Sequence, residues 1–330
     1  MRSIAIFDGG AQPTALGLGC AAMLGRSSRR ESLRALGAAW DAGITLYDTA
    51  RSYGYGESER LLGEFFAGER RTRAVISTKF GILPASRNWK QRIKPLAQLA
   101  VKAVPALRGF ARQQGAGQLT AGVFSVDELK ASLETSLREL RTDYVDLLLM
   151  HAAPLGGLDN CELLETMERL VKSGKVRMAG ISGESEVISA AFARMPTGLR
   201  TAQFAMNVGD LKLAPETEQA ARQGWFLVAN HPFGGAGGVA EFGRRIDALH
   251  RNTALDAGLR EKLRPDAALM PELVLNLILN GTGVHSAIPA MMDPRHLAAN
   301  VQAVEQCRFS EQELAMLRGL FLQPERSRPR

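Results

Sequence analysis

Short apolar runs recur along the chain at residues 14–18, 44–47, 74–77, 144–149, 176–181, 201–205, 225–229 and 284–288. Each is of strand length and bounded by polar or glycine-rich residues. Most intervals between them are about 20 to 30 residues, enough for one crossover helix with its loops. Two intervals are longer and must hold insertions. Helix starts are legible in several intervals. Ser125-Val-Asp-Glu128 has the spacing of a capping box, and Leu129, Leu133, Leu137 and Leu140 then line one helical face. Asp293-Pro294 places a cap before a first-turn proline, with Leu297, Val301 and Val304 following. Ser310 and Glu313 repeat the capping box ahead of Leu314, Leu317 and Phe321.

Eight strands alternating with helices predict a (β/α)8 TIM barrel, although an open doubly wound sheet alternates in the same way. Residues 4–7 followed by Asp8-Gly9-Gly10 read as an N-terminal β-hairpin that covers the N-terminal end of the barrel. Residues 1–330 are expected to form a single domain, with 82–124 a basic insertion after the third strand and 323–330 a flexible tail.

Composition narrows the function classes. The chain has 41 Lys+Arg against 34 Asp+Glu, a formal net charge of +7, and 45% hydrophobic residues, figures of a globular protein rather than a disordered one. The charge is concentrated. Arg87, Lys90, Arg92, Lys94, Lys102, Arg108 and Arg112 all lie between Gly81 and Gly117 with no acidic residue among them. Those seven equal the whole net charge. Only Trp89 and Phe110 interleave them, which argues against a nucleic-acid surface. The insertion reads equally as a substrate-shaping lid for an anionic or bulky substrate and as a solvated segment or subunit contact. Pro95 and Pro105 leave an apolar stretch too short for firm membrane binding. Cys20, Cys161 and Cys307 form no C-x-x-C pair, so reduced thiols and a cytoplasmic location are expected. The first residues make a poor signal peptide, and no run reaches the ~20 apolar residues of a membrane span.

Candidate chemistry gathers at strand ends. Gly17-Leu-Gly19-Cys20-Ala-Ala22 fits a loose dinucleotide pattern, but Leu24-Gly-Arg-Ser-Ser28 reads as a loop, with a helix only near Arg29. The pattern therefore reads as a strand end opening into a pocket. Asp48 and Tyr53 follow the second apolar run, Lys79 ends the third and His151 ends the fourth. Barrel enzymes keep their chemistry at the C-terminal ends of strands. Each residue alone reads as a paired charge or a satisfied histidine; four at equivalent ends read as a site.

With these residues in place, the chain resembles the aldo-keto reductase superfamily. The resemblance is carried by Gly43-Ile-Thr-Leu-Tyr-Asp48-Thr-Ala-Arg-Ser-Tyr53-Gly-Tyr-Gly-Glu-Ser-Glu-Arg60-Leu-Leu-Gly63, then Thr78-Lys79-Phe80, Tyr144-Val-Asp-Leu-Leu-Leu-Met-His151, Ser173-Gly-Lys-Val-Arg177 and Gly180-Ile-Ser182, in order. It implies a barrel that binds NADPH, with NADH the alternative, and the catalytic tetrad Asp48, Tyr53, Lys79 and His151. The chemistry is coherent. Hydride attack on a carbonyl leaves an alkoxide that needs a proton. An unperturbed tyrosine has a pKa of about 10, and a nearby ammonium stabilises its anion.

The resemblance also implies cofactor contacts at Gly19, Cys20, Asp48, Ser182, Gln203, Asn230, Pro232, Phe233, Gly234 and Gly235. At the adenosine end it implies Arg295, His296 and Asn300. Three departures stand out. Gly183 replaces the usual asparagine after Ser182, Asn230 takes the place of an aromatic residue that stacks on nicotinamide, and Ala290 takes the place of a common lysine or glycine. His231 beside Asn230 reads equally as an extra polar group in the pocket and as a loop histidine.

The implied activity is reduction of a small aldehyde or ketone, or its reverse, with no nucleic-acid, membrane or metal requirement. Two other readings stay open: a cofactor-binding regulatory protein on the same barrel, and redox-assisted elimination or epimerisation. Substrate identity and oligomeric state are not legible.

Overall fold

In the computed structural model, which describes residues 1–84 and 122–322, eight strands run parallel in chain order. They are β1 (Gly17–Gly19), β2 (Leu46–Asp48), β3 (Val75–Phe80), β4 (Val145–His151), β5 (Val176–Ser182), β6 (Leu199–Ala205), β7 (Phe226–Asn230) and β8 (Ser286–Ile288). A parallel bridge between Leu16 and Ala287 joins the last strand to the first. That closure decides between the two architectures the alternation allowed. The fold is a (β/α)8 barrel. β1 starts three residues later than the apolar run because Thr14 pairs antiparallel with Ser3, and its hydroxyl donates to Leu16 O at 2.7 Å.

Helices coat the barrel: α1 (Arg29–Asp41), α2 (Ser58–Phe65), α3 (Val126–Leu140), α4 (Cys161–Lys172), α5 (Ser185–Arg194), α6 (Ala214–Arg222), α7 (Gly235–His250), α8 (Ala257–Lys262), α9 (Leu269–Leu279), α10 (Pro294–Glu305) and α11 (Glu311–Leu322). In α3, Leu129, Leu133, Leu137 and Leu140 are buried against the core, as their spacing predicts. Its capping box is only half formed. Ser125 Oγ accepts from Glu128 N, but the Glu128 carboxylate takes the Ser132 hydroxyl at 2.5 Å instead of reaching back. Both halves form at Ser310 and Glu313, and Asp293 caps α10 through Arg295 N. No described helix is long and apolar enough to cross a membrane.

The two long intervals differ. The one after β7 holds α7, α8 and α9. The one after β3 contains all seven clustered cations, and residues 85–121, with them the lid reading, lie outside the described residues, as does the tail 323–330. The roots of that interval meet: Val123 N donates to Gly81 O at 2.8 Å, and Phe124 sets its ring edge against Phe80.

Leu46, Val75, Leu147, Phe226, Val228 and Ile288 fill the barrel interior, and Ile4, Ile6, Phe7 and Ala11 pack against them. The expected hairpin is reduced to the single Ser3–Thr14 bridge. The Gln12 side chain replaces the rest of the ladder, accepting from Ile6 N and Phe7 N and donating to Phe7 O. Arg177 fastens this plug. Its guanidinium lies 3.6 Å from the Phe7 ring centroid, donates to Ala11 O and pairs with Asp146 at 2.9 Å. Asp146 is fully buried and also accepts from Arg71 and Ile76 N, so a charge inside the protein has three donors.

Candidate active site

The strand register sets one rim of functional side chains. Asp48 ends β2, His151 ends β4, and His151 lies beside Ser182, which lies beside Gln203. Tyr53 opens a 3₁₀ turn (Tyr53–Gly56) directly after β2. That turn needs two consecutive left-handed residues, Gly54 and Tyr55, both at φ 58°. A Cβ on Gly54 would meet Met23 O at 2.7 Å, so glycine is required there on both counts.

Lys79 rises from β3 beneath these groups and is 1% exposed. Its Nζ donates to both Asp48 oxygens at 2.8 and 2.7 Å and to Thr49 O at 2.9 Å, and lies 3.4 Å from Tyr53 Oη. Burial disfavours the ammonium, but the charges of Asp48 and Tyr53 outweigh it and hold the Lys79 pKa above its usual value. Tyr53 and His151 meet edge to face, ring centroids 5.8 Å apart. Burial, then the charge of Lys79, pushes His151 well below the usual histidine range. That favours the neutral imidazole, which carries a single ring N–H.

The loop carrying Tyr53 is clamped by residues that sequence reasoning did not single out. Arg51 pairs with Glu59 at 2.9 Å, and Thr78, next to Lys79, donates to the other Glu59 oxygen at 2.6 Å. Glu59 is 1% exposed. The signal was an acid at a core-facing position of α2, three residues before Leu62.

Above this floor lies a cavity of ≈ 330 Å³. Of the residues named from sequence, Gly19, Asp48, Tyr53, His151, Ser182, Gln203, Asn230, Pro232, Phe233, Gly234 and Gly235 line it. Gln203 Nε2 donates to Asp48 at 2.7 Å and its Oε1 accepts from Ser182 at 2.9 Å. His231 and Arg26 also line the wall. Arg26 was missed because a single arginine in a Gly-Arg-Ser-Ser loop carries no local signal.

Other named residues sit elsewhere. Cys20 is wholly buried and off the cavity, with its amide on Asp48 O and its thiol pushed up by burial and the Asp48 charge. Its turn at the end of β1 faces it into the core. Arg295, His296 and Asn300 do not line the cavity. Asn300 is buried in α10. The Arg295 side chain is 88% exposed and held by Asp293 at 2.7 Å. That guanidinium, through its hydrogen bonds, keeps the Asp293 carboxyl well below the usual carboxylate range. A phosphate would compete with this pair.

The cavity suits a dinucleotide in two ways. Gly234, left-handed at φ 63°, starts the 16-residue α7 with no side-chain cap, and a long helix N-terminus without a cap favours an anion. Asn230 Oδ1 is sealed from solvent and accepts no hydrogen bond from the described residues, so it suits a ligand donor. The glycine pattern of β1 does not open a helix: α1 begins at Arg29 under a complete Ser28–Glu31 capping box, so no Rossmann turn forms. No metal-type cluster of His, Cys, Asp and Glu occurs among the described residues.

Known proteins share this fold. The solved structure of aldo-keto reductase AKR11C1 from Bacillus halodurans, in its holo form, matches with a TM-score of 0.68 over 96% of both chains at 22% identity, a likeness of fold. Methylglyoxal reductase YeaE of Escherichia coli (strain K12) is 26% identical over 304 residues, 90% of this chain and 87% of that protein. Aldo-keto reductase YhdN of Bacillus subtilis (strain 168) is 30% identical over 191 residues, 56% of this chain; that match spans about half of the relative's length, 48%. The model of the aldo/keto reductase family matches residues 15–321, nearly the whole barrel. The chain therefore belongs to the aldo/keto reductase family.

Proposed function

We propose that the protein reduces an aldehyde or ketone to the alcohol with NADPH, NADH being the alternative, or catalyses the reverse. One observation carries the reading: a buried Lys79–Asp48 pair holds its ammonium 3.4 Å from Tyr53 Oη, beside a neutral His151, on the floor of the cavity.

The nicotinamide cofactor supplies the hydride when bound. Ser182 and Gln203 would hold its amide end, and Gly234 and Gly235 at the start of α7 its diphosphate. Arg295, His296 and Asn300 would serve the adenosine end once Arg295 exchanges Asp293 for a phosphate. The His151 N–H donates to the substrate carbonyl oxygen, orienting it and favouring negative charge on it. Tyr53 Oη then protonates that oxygen. The ammonium of Lys79 stabilises the phenolate left behind, and Asp48 keeps the ammonium charged and in place. In the oxidative direction, the same phenolate takes the proton from the alcohol. A protein that only bound a cofactor would need no proton donor poised in this way.

The similar protein from Escherichia coli bears the name methylglyoxal reductase, so methylglyoxal is the first substrate to assay. The test compares wild type with Tyr53→Phe. Turnover is expected to fall by about 10²–10⁴ in the variant, with cofactor affinity and melting temperature nearly unchanged. Rapid turnover by Tyr53→Phe would remove Tyr53 from the proton transfer.

A further inference from the structure

Asn230 closes β7 beside Ala205 of β6 and Ile288 of β8. Phe226 and Val228, four and two residues earlier, belong to the interior cluster, so strand alternation turns Asn230 inward at the rim. It lines the same cavity as Tyr53 and His151. Its Oδ1 is sealed from solvent, yet no described residue donates to it. Buried carbonyl oxygens in native proteins nearly always have a donor. The other amide at this level cannot provide one, because Gln203 is held at both ends, by Asp48 and by Ser182.

A molecule bound in the cavity against Tyr53 and His151 would supply that donor. It must carry an N–H or O–H that survives the reaction, since a fixed seat is of use to every turnover. A primary carboxamide on an aromatic ring meets both demands. Building on the reductase reading, we infer that Asn230 Oδ1 accepts a hydrogen bond from the nicotinamide carboxamide N–H₂ and so sets the rotation of the ring, choosing the face turned towards the substrate. None of the described side chains in the turn that follows donates to Oδ1 either: His231 adopts a left-handed backbone conformation at φ 51°, and Gly234 N bonds back to its carbonyl.

The test is a calorimetric titration of the full chain with NADP⁺ and, separately, with its 3-acetylpyridine analogue, in which a methyl ketone replaces the carboxamide and no N–H remains. Wild type is expected to bind NADP⁺ about fivefold to tenfold more tightly than the analogue, the loss of one buried hydrogen bond. In Asn230→Ala the two affinities should converge to within about twofold, chiefly through weaker NADP⁺ binding. Asn230→Leu, which fills the volume without an acceptor, should behave alike, so a cavity effect cannot imitate the result. Thermal melts and circular dichroism check that both variants fold.

An unchanged ratio in both variants overturns the role of Asn230 while leaving the reductase reading in place. Binding by wild type of neither this pair nor NAD⁺ and its 3-acetylpyridine analogue overturns the cofactor reading itself, and the inference with it.

Discussion

The ammonium of Lys79 is where the site's electrostatics balance: burial opposes its charge, and Asp48 and Tyr53 restore it. Removing it acts twice. Lys79→Met leaves Asp48, 4% exposed, as a buried carboxylate without its ion-pair partner, which costs about 3–5 kcal/mol of stability. It also withdraws the cation that stabilises the Tyr53 phenolate, so the phenol's pKa rises. Alcohol oxidation needs that phenolate, so its rate should begin to climb only at higher pH in the variant. An oxidative pH–rate profile unmoved by the substitution would count against the role given to Lys79. The double variant Lys79→Met/Asp48→Asn should recover part of the stability and none of the activity.

Histidines give the native state a second pH dependence. His151 is held neutral by burial and by Lys79, and burial with the charge of Arg2 lowers His285, whose Nδ1 accepts the Leu227 N–H. In the unfolded chain both protonate near about 6.5. Below that pH the unfolded state binds protons that the native state refuses, so stability falls as pH drops from about 6.5 towards the lowered native values. His285→Asn keeps an acceptor for Leu227 N and removes one such proton. Its melting temperature should fall less steeply than wild type between about pH 6.5 and 5. Asp48, Lys79 and His151 were legible in sequence because strand ends mark where barrel chemistry collects. The missing donor to Asn230 was not, because an absent contact leaves no trace in a residue string.

At the level of elements, the strand and helix pattern was read well where one segment decides its own structure, and less well where a distant partner competes. Leu129 to Leu140 face inward as their spacing requires, whereas Glu128 abandons its cap for Ser132, one turn further on. Thr14 is apolar enough in context to read as strand, yet it pairs backwards with Ser3. The same kind of long-range contact clamps Tyr53. Glu59 on α2 joins Arg51 in the loop to Thr78 on β3, and nothing local announces that triangle. Glu59→Ala should cost about 3 kcal/mol by leaving Arg51 without its ion-pair partner. It should also lower kcat by about tenfold or more through a loosened Tyr53, with KM for the cofactor little changed. Glu59→Gln, which can still bond Thr78, should recover part of kcat; equal loss of kcat in both variants would point to a wholly electrostatic role for Glu59.

Across the whole molecule, closure of the ring rests on contacts between residues nearly the full chain apart: Leu16 beside Ala287, and the Ser286 hydroxyl on Thr14 O. Eight alternating units could not distinguish that from an open sheet. The plug at the opposite end likewise depends on Arg177 crossing from β5 to the first residues of the chain. The Gly81–Val123 hydrogen bond has a consequence of another kind. It ties both ends of the interval that carries the chain's entire net charge to the C-terminal rim, on the side of the cavity. Replacing residues 85–121 by a short turn between Pro84 and Gly122 should therefore leave the melting temperature close to that of the full chain. The remaining sequence would hold 34 Lys+Arg against 34 Asp+Glu. Dinucleotide cofactors are polyanions, and local positive potential speeds their diffusional capture. Stopped-flow association of NADPH with the shortened protein should be slower at low ionic strength and nearly indifferent to added salt, whereas the full chain should lose its advantage as the Debye length shrinks. The interval would then govern how fast the anion arrives, and the barrel how firmly it stays.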